Sequence, residues 1–443
     1  MSRKVLVAGL MMAPMVASAG DPALEIPGKN IHIPADSDRQ KTLDVAVTYD
    51  DERVYLHYRF ETDDPSWYHQ YWRYEDGDWV RYGSGSLGPD EHGLYEDRIS
   101  MMLDDGAVDG FGRYGGWMTV HEGTRSLTSA AGSEEVKAHP VLGERLGRSD
   151  VRKHLPQSRD YEDPSETAWD QVRDEDELER MREEGEFLDL WQWRAHRSHP
   201  MGHADNGYVL EYRLSSEGTS MYTTNWDDSA EQPAYMFDDE QVGKKSLDWE
   251  KLVAREYDQD DPYYLSEHNA VEFEPEHEWQ EGDVIPQRFL QQPDGSRGAI
   301  TAEGGYEDGA WRVTLSRSLE APNPRDSKTL EEGEQYSVAF AVHTGQVGQR
   351  WHRVSLPQTL GLGTEEGDII GVHSENPRSE EDLEWHSIDL IYPGQVTWQY
   401  LHGDHSGSPM VRDGSLGVGD FHDVDSLQDM IIEMEKRYQS DEK

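Results

Sequence analysis

The chain has 443 residues, 41 Lys and Arg against 90 Asp and Glu, a formal charge of −49, and no cysteine. Without thiols it can build no disulfide, no Cys-based zinc or iron–sulfur site and no thioether-linked haem c. The charge excludes recognition of nucleic-acid phosphates and repels anionic lipid surfaces.

Hydrophobic residues make up only 35% of the chain, yet it carries 14 Trp and 22 Tyr, which separates it from disordered acidic sequences. It reads as a folded protein with an aromatic core under an acidic skin. The acids are spread along the whole chain and Arg outnumbers Lys by 30 to 11. That pattern fits a protein kept soluble in strong salt, where repulsion is screened over a few ångströms. A cation-binding surface is the alternative.

The N-terminus reads as an address. Arg3 and Lys4 precede an apolar run from Val5 to Val16, and Ala17-Ser18-Ala19 follows as a small-residue cleavage pattern. This predicts a signal peptide over 1–19, a mature chain from Gly20 and a periplasmic destination. No other stretch is long and apolar enough to span a bilayer.

Along the mature chain, short alternating segments predict strands. Leu43 to Tyr49 and Val54 to Phe60 form a hairpin pattern around Asp50-Asp51-Glu52-Arg53. Arg98 to Leu103, Tyr208 to Tyr212, Trp311 to Leu315, Tyr336 to Val342, Trp351 to Leu356 and Ser387 to Tyr392 read alike. Many short strands without strand–helix alternation predict an all-β chain, a β-sandwich. Two helical patches interrupt it. Thr167 to Glu184 sits in a polar stretch over 128–185, an acidic surface insertion. Asp423 to about Tyr438 places Val424, Leu427, Met430, Ile431 and Met434 at helical spacing. The sandwich is thus expected over 20–127 and 186–363, with a C-terminal extension over 364–443.

Phosphate-loop, dinucleotide, HExxH and nucleophile-elbow motifs are absent, and catalytic carboxylate pairs cannot be singled out among so many acids. Nineteen histidines are the usable chemistry. His121 follows Gly115-Gly116-Trp117-Met118-Thr119-Val120 and faces either a dry pocket or the core. In Trp191-Gln192-Trp193-Arg194, the two tryptophans share one strand face and Arg194 takes the other. That pair either walls a flat ligand, with Arg194 or Arg197 holding a carboxylate, or is ordinary core. His343 and His352 close the third setting, beside Arg350-Trp351 and Arg353.

The order of these blocks resembles the ethylbenzene dehydrogenase γ-subunit-related family, with cytochrome c-552 and the haem-binding domains of the dimethylsulfoxide-reductase group. The blocks are Tyr95-Glu96-Asp97-Arg98-Ile99, Trp191-Gln192-Trp193-Arg194-Ala195, Asp308-Gly309-Ala310-Trp311-Arg312-Val313 and Tyr336 to Leu362. The resemblance implies an immunoglobulin-like, carbohydrate-binding-module-like sandwich that holds non-covalent haem b and exchanges electrons with a molybdenum oxidoreductase or a cytochrome. Trp117 and Val120 stand where some relatives carry haem c cysteines, and His121 stands where their iron ligand would be. His352, three residues before Ser355, stands where the γ-subunits carry a second ligand. These two imidazoles are the expected metal ligands. Val418-Gly419-Asp420-Phe421-His422 echoes a second haem site, with His422 either a ligand to a second haem or a relic.

Two other functions stay open. One is a carbohydrate-binding module using Trp67, Tyr68, Tyr71, Trp72, Tyr74 and Trp79. The other is a family member that binds no haem.

Overall fold

A computed structural model describes residues 24–26, 31–33, 40–83, 90–125, 127, 130–160, 169–348, 352–391 and 397–402. The expected signal peptide, Trp351, His422 and the helix expected from Asp423 lie outside the described residues.

The expected hairpin forms as β1 (Gln40–Tyr49) and β2 (Arg53–Glu61). The Asp50 carboxylate accepts from the amides of Glu52 and Arg53, at 2.9 and 2.8 Å, and fixes the turn. The next strands are β3 (Arg98–Asp104), β4 (Leu188–Arg194) and β5 (His203–Val209). They are followed by β6 (Ile300–Glu307), β7 (Ala310–Ser318) and β8 (Gln335–His343). Short strands complete the set: β9 (Arg353–Ser355), β10 (Gln358–Leu362), β11 (Ile369–His373) and β12 (His386–Ile391). Between β6 and β7, Asp308 and Gly309 have φ of 51° and 83°, the left-handed pair that a two-residue hairpin requires.

The sheet does not split into the two layers of the expected sandwich. Its order runs β1-β11-β10-β8-β3-β4-β5-β6-β7-β2, and β2 pairs back onto β1, closing a ten-stranded barrel. Neighbours are antiparallel except β10–β11 and β11–β1. β9 and β12 make a second bridge from β8 to β1. Alternation reports that one face of each strand is buried; it carries no signal about whether the sheet's edges meet.

The interior is filled. Tyr58, Ile99, Met101, Trp191, Trp193, Trp311 and Phe340 interlock in one core. At one end the buried Arg317 guanidinium donates to Asp189 at 2.8 Å and to Asn206 at 3.1 Å, and lies 4.5 Å over the Trp191 ring.

Excursions between strands cover the outside. Residues 66–94 and 221–290 build small sheets around a second aromatic cluster that includes Tyr68, Tyr71, Phe237, Trp249 and Tyr263. In the 128–185 stretch, the helix runs over Glu175–Glu183, shorter than expected, capped by Asp174 on the Glu177 amide. Its Leu178 and Met181 are buried against the outer wall. The strand expected over Tyr208 to Tyr212 ends at Val209.

Candidate functional site

The outer face of β8, β3, β4 and β5 carries what the barrel interior does not. Since Ile99, Met101, Trp191 and Trp193 point inward, their neighbours point out. The register aligns Ala339, Met102, Leu190 and Gly207 in one outer row, and Ala341, Ser100, Gln192 and Asp205 in the next. A third row holds His343, Arg98 and Arg194.

Over this wall lies the segment that follows β3. A 3₁₀ turn over Gly115–Thr119 leads to His121 and packs against β8 and β9. Gly115 has φ 54°, and a Cβ there would lie 3.1 Å from Pro357 and 3.4 Å from Ala339. The Gly-Gly pair is therefore a close-approach device that seats this turn on the wall.

Two stacked imidazole pairs sit on the segments that meet the turn: His343 ends β8 and His352 precedes β9, while His121 follows the turn and the His154 amide donates to the Thr119 carbonyl. The rings of His343 and His352 are 4.5 Å apart and 18° from parallel, both residues buried. Those of His121 and His154 are 4.0 Å apart, also at 18°. Gln399 fixes the tautomer of His121. Its Oε1 accepts from the Glu122 amide at 3.2 Å, so its amide nitrogen meets His121 Nδ1 at 3.1 Å. His121 therefore carries its proton on Nε2 and donates to the His154 carbonyl at 3.0 Å. Burial, then the nearby Arg159 and His121, hold His154 well below the usual histidine range, hence neutral. Trp398 closes this side: its amide donates to the Val120 carbonyl, and its ring packs on His402 at 3.9 Å and Tyr114 at 4.9 Å.

The blocks that carried the resemblance are fastened to one another. Asp97 accepts from Trp311 Nε1 at 2.8 Å and from the Ser66 amide at 3.0 Å. Its burial pushes the carboxyl up to about 7. Glu96 accepts from the amides of His196 and Arg197, at 2.7 and 2.8 Å, and pairs with the Arg197 guanidinium. The YEDR, WQWRA and DGAWRV motifs are thus the seams where three parts of the barrel wall are joined.

Each expected site residue has a definite place. Trp191 and Trp193 are both 0% exposed inside the barrel, packed in its core. A period-2 pattern separates the two faces of a strand but does not say which is the interior when both are covered. Arg194 is on the outer face as expected, paired with Asp205 at 2.9 Å. His121 and His352 border the same turn, each stacked on a second histidine. No group of three His, Asp or Glu side chains is arranged to hold a bare metal ion among the described residues.

The aromatics of the carbohydrate alternative are largely spent on packing. Tyr68 and Tyr71 are buried, Trp79 meets Phe273 and Trp279, and Trp72 lies 4.2 Å from Trp226. Sequence reasoning missed His154 and His402, which lack any motif, and the gathering of Arg213, Tyr222 and Arg288 beside Arg194.

Fold and site together define an all-β barrel domain with a histidine- and arginine-lined outer wall. The sequence profile of the ethylbenzene dehydrogenase family matches residues 18–355, and the chain belongs to that family. A curated relative, cytochrome c-552 of Stutzerimonas stutzeri, is 29% identical over 89 residues, which cover 20% of this chain. The matched segment spans 28% of that cytochrome's own length.

Proposed function

We propose that the protein is an exported haem b-binding electron-transfer protein that serves a redox partner, a molybdenum oxidoreductase or a cytochrome. The observation that carries this reading is the pair of buried imidazole stacks, His343/His352 and His121/His154, on segments that contact one turn against the barrel's outer wall. Family membership and the cytochrome relative support it.

The residues fit the group in kind. Non-covalent haem asks for imidazole donors and basic partners for its propionates, and this wall offers Arg98 and Arg194 in the row of His343. His352 and His121 would be the iron ligands. Ligation through His121 Nε2 would exchange its bond to the His154 carbonyl for iron and require Gln399 to release Nδ1. A haem with two protein ligands supplies one-electron transfer without an open coordination position. The protein's own part is to bury the imidazoles and keep water from them. The acidic surface would steer a basic partner, less so in strong salt.

The test is the visible spectrum of His352→Ala and His121→Ala proteins reconstituted with haemin. Each should lose or alter the low-spin bands of the wild type. An unchanged spectrum in His352→Ala removes that residue as ligand.

A further inference from the structure

We propose that the outer wall carries a carboxylate-binding site, formed by Arg194, Arg213 and Arg297 around Tyr222 with Arg98 and Arg288 beside it, and that it takes the haem propionates. The choice of haem as the source of the carboxylates rests on the function proposed above; the site itself rests on charge and geometry.

A cavity of about 60 Å³ opens here, lined by Gln192, Arg194, Asp205, Arg213, Tyr222 and Arg297 among others. A single water needs only ~10–15 Å³ by this measure, so a carboxylate fits. Among the described residues six arginines crowd the region, with Arg152 beyond Arg213, and two carboxylates pair with them. Asp205 serves both Arg194, at 2.9 Å, and Arg297, at 3.1 Å. Glu96 serves Arg197.

Among the described residues, Arg98, Arg213 and Arg288 hydrogen-bond only neutral groups and feel Glu96 or Asp205 only at longer range. Arg98 donates to the Val347 carbonyl at 2.9 Å and leaves its buried Nε without a hydrogen bond, although the residue is only 6% exposed. Arg213 reaches Gln192 Oε1 at 3.3 Å. Arg288 reaches Thr224 and Gln70, at 3.0 and 3.2 Å, and its Nε is likewise unbonded.

In a chain with 90 acidic side chains, unanswered arginines in one enclosure are not for want of carboxylates. Burying such charge is costly unless an anion arrives. The titrations point the same way. Burial and the neighbouring Arg152 and Arg194 push Arg213 down to about 9. At Tyr222 burial works upward, but Arg194 and Arg197 outweigh it and bring the phenol down to about 8. The cluster is short of negative charge.

Position identifies the anion. Arg194 aligns with Arg98, and Arg98 with His343, along one outer row. β8 and β4 are two strand spacings apart, roughly 10 Å. Between them the adjacent row presents Ala341 and Ser100, whose short side chains keep the wall low. His343 stacks on the proposed ligand His352, so a flat group held there with carboxylates on one edge would reach the arginines along this row.

The experiment titrates the apo protein with haemin, with haemin dimethyl ester, and with succinate or inorganic phosphate, following the Soret band and the near-ultraviolet phenolate absorbance. Wild type, the Arg98→Gln/Arg213→Gln double variant, Tyr222→Phe and the exposed-site control Arg312→Gln are compared. We expect the ester to bind about tenfold more weakly than haemin to wild type and to the control. That difference should vanish in the double variant. The phenolate step near pH 8, absent from Tyr222→Phe, should move upward when haemin binds. Equal binding of haemin and ester would overturn the propionate anchor and leave the haem reading standing. A Tyr222 step moved by succinate or phosphate, in protein that takes no haemin, would overturn the propionate assignment together with the proposed function. No response to any of them overturns the site itself.

Discussion

The inside and the outside of the same barrel wall handle buried charge in opposite ways. Inside, Arg317 and Asp189 are each 0% exposed, and their charges are answered within the protein. Arg317 also donates to Asn206 and the Lys328 carbonyl, and Asp189 accepts from the Lys328 amide at 2.8 Å. Outside, Arg98 on β3, Arg213 on a short strand paired with β5 and Arg288 in the 221–290 excursion hydrogen-bond carbonyls, amides and a hydroxyl and, among the described residues, no carboxylate. The interior is finished by folding alone, whereas the outer wall has the form of a surface completed by something else.

The largest effect should come from breaking the interior pair. Arg317→Met leaves the Asp189 carboxyl in the core without its guanidinium partner, and should cost about 3–5 kcal/mol in denaturant unfolding. If the loss is under about 1 kcal/mol, the interior is not a closed electrostatic unit and the contrast weakens.

Next in size is a histidine on the outer side of β2, whose needs the protein does meet. His57 contacts Thr48, Thr314 and the Pro377 carbonyl, each at 3.0 Å, and burial pushes it down to about 4. Because the folded pKa lies below the unfolded one, its contribution is complete above about pH 6.5. It is lost as pH falls toward 4, where the unfolded chain binds the proton first. Between those limits the loss amounts to about 3 kcal/mol. His57→Gln should flatten that acid limb in stability measured against pH; an unchanged slope contradicts the assignment.

The smallest effect should fall on the outer arginines. Arg213→Gln should change apo stability by less than about 0.5 kcal/mol, or raise it, because no carboxylate is stranded. A loss of several kcal/mol would show that Arg213 is structural and erase the difference between the two faces.

Much of the fold was legible because it is local. The β1–β2 hairpin, the Asp308-Gly309 turn, and strands β3, β7 and β8 follow from alternation and turn residues. Closure was not, because it depends on β1 meeting β2, β11 and β12, and β11 begins at Ile369, far along the chain. The imidazole positions His121 and His352 were legible from their motifs, but their stacking partners His154 and His343 are set by tertiary contact. Trp191 and Trp193 looked the same as core or as ligand wall, since both placements bury an aromatic stripe. The arginine cluster gathers side chains from positions 98, 194, 213 and 288, and no sequence window contains it. The YEDR and WQWRA blocks were visible as motifs, but their work as seams through Asp97 and Glu96 appears only once the strands are paired.

The most direct measurement is the oxidised and dithionite-reduced absorption spectrum of protein expressed from its full-length sequence, with haem quantified as the pyridine haemochrome. The account predicts a Soret band, sharp reduced α and β bands, and haem b bound without covalent linkage. A flat visible spectrum after growth with ample haem and after incubation with haemin would contradict it.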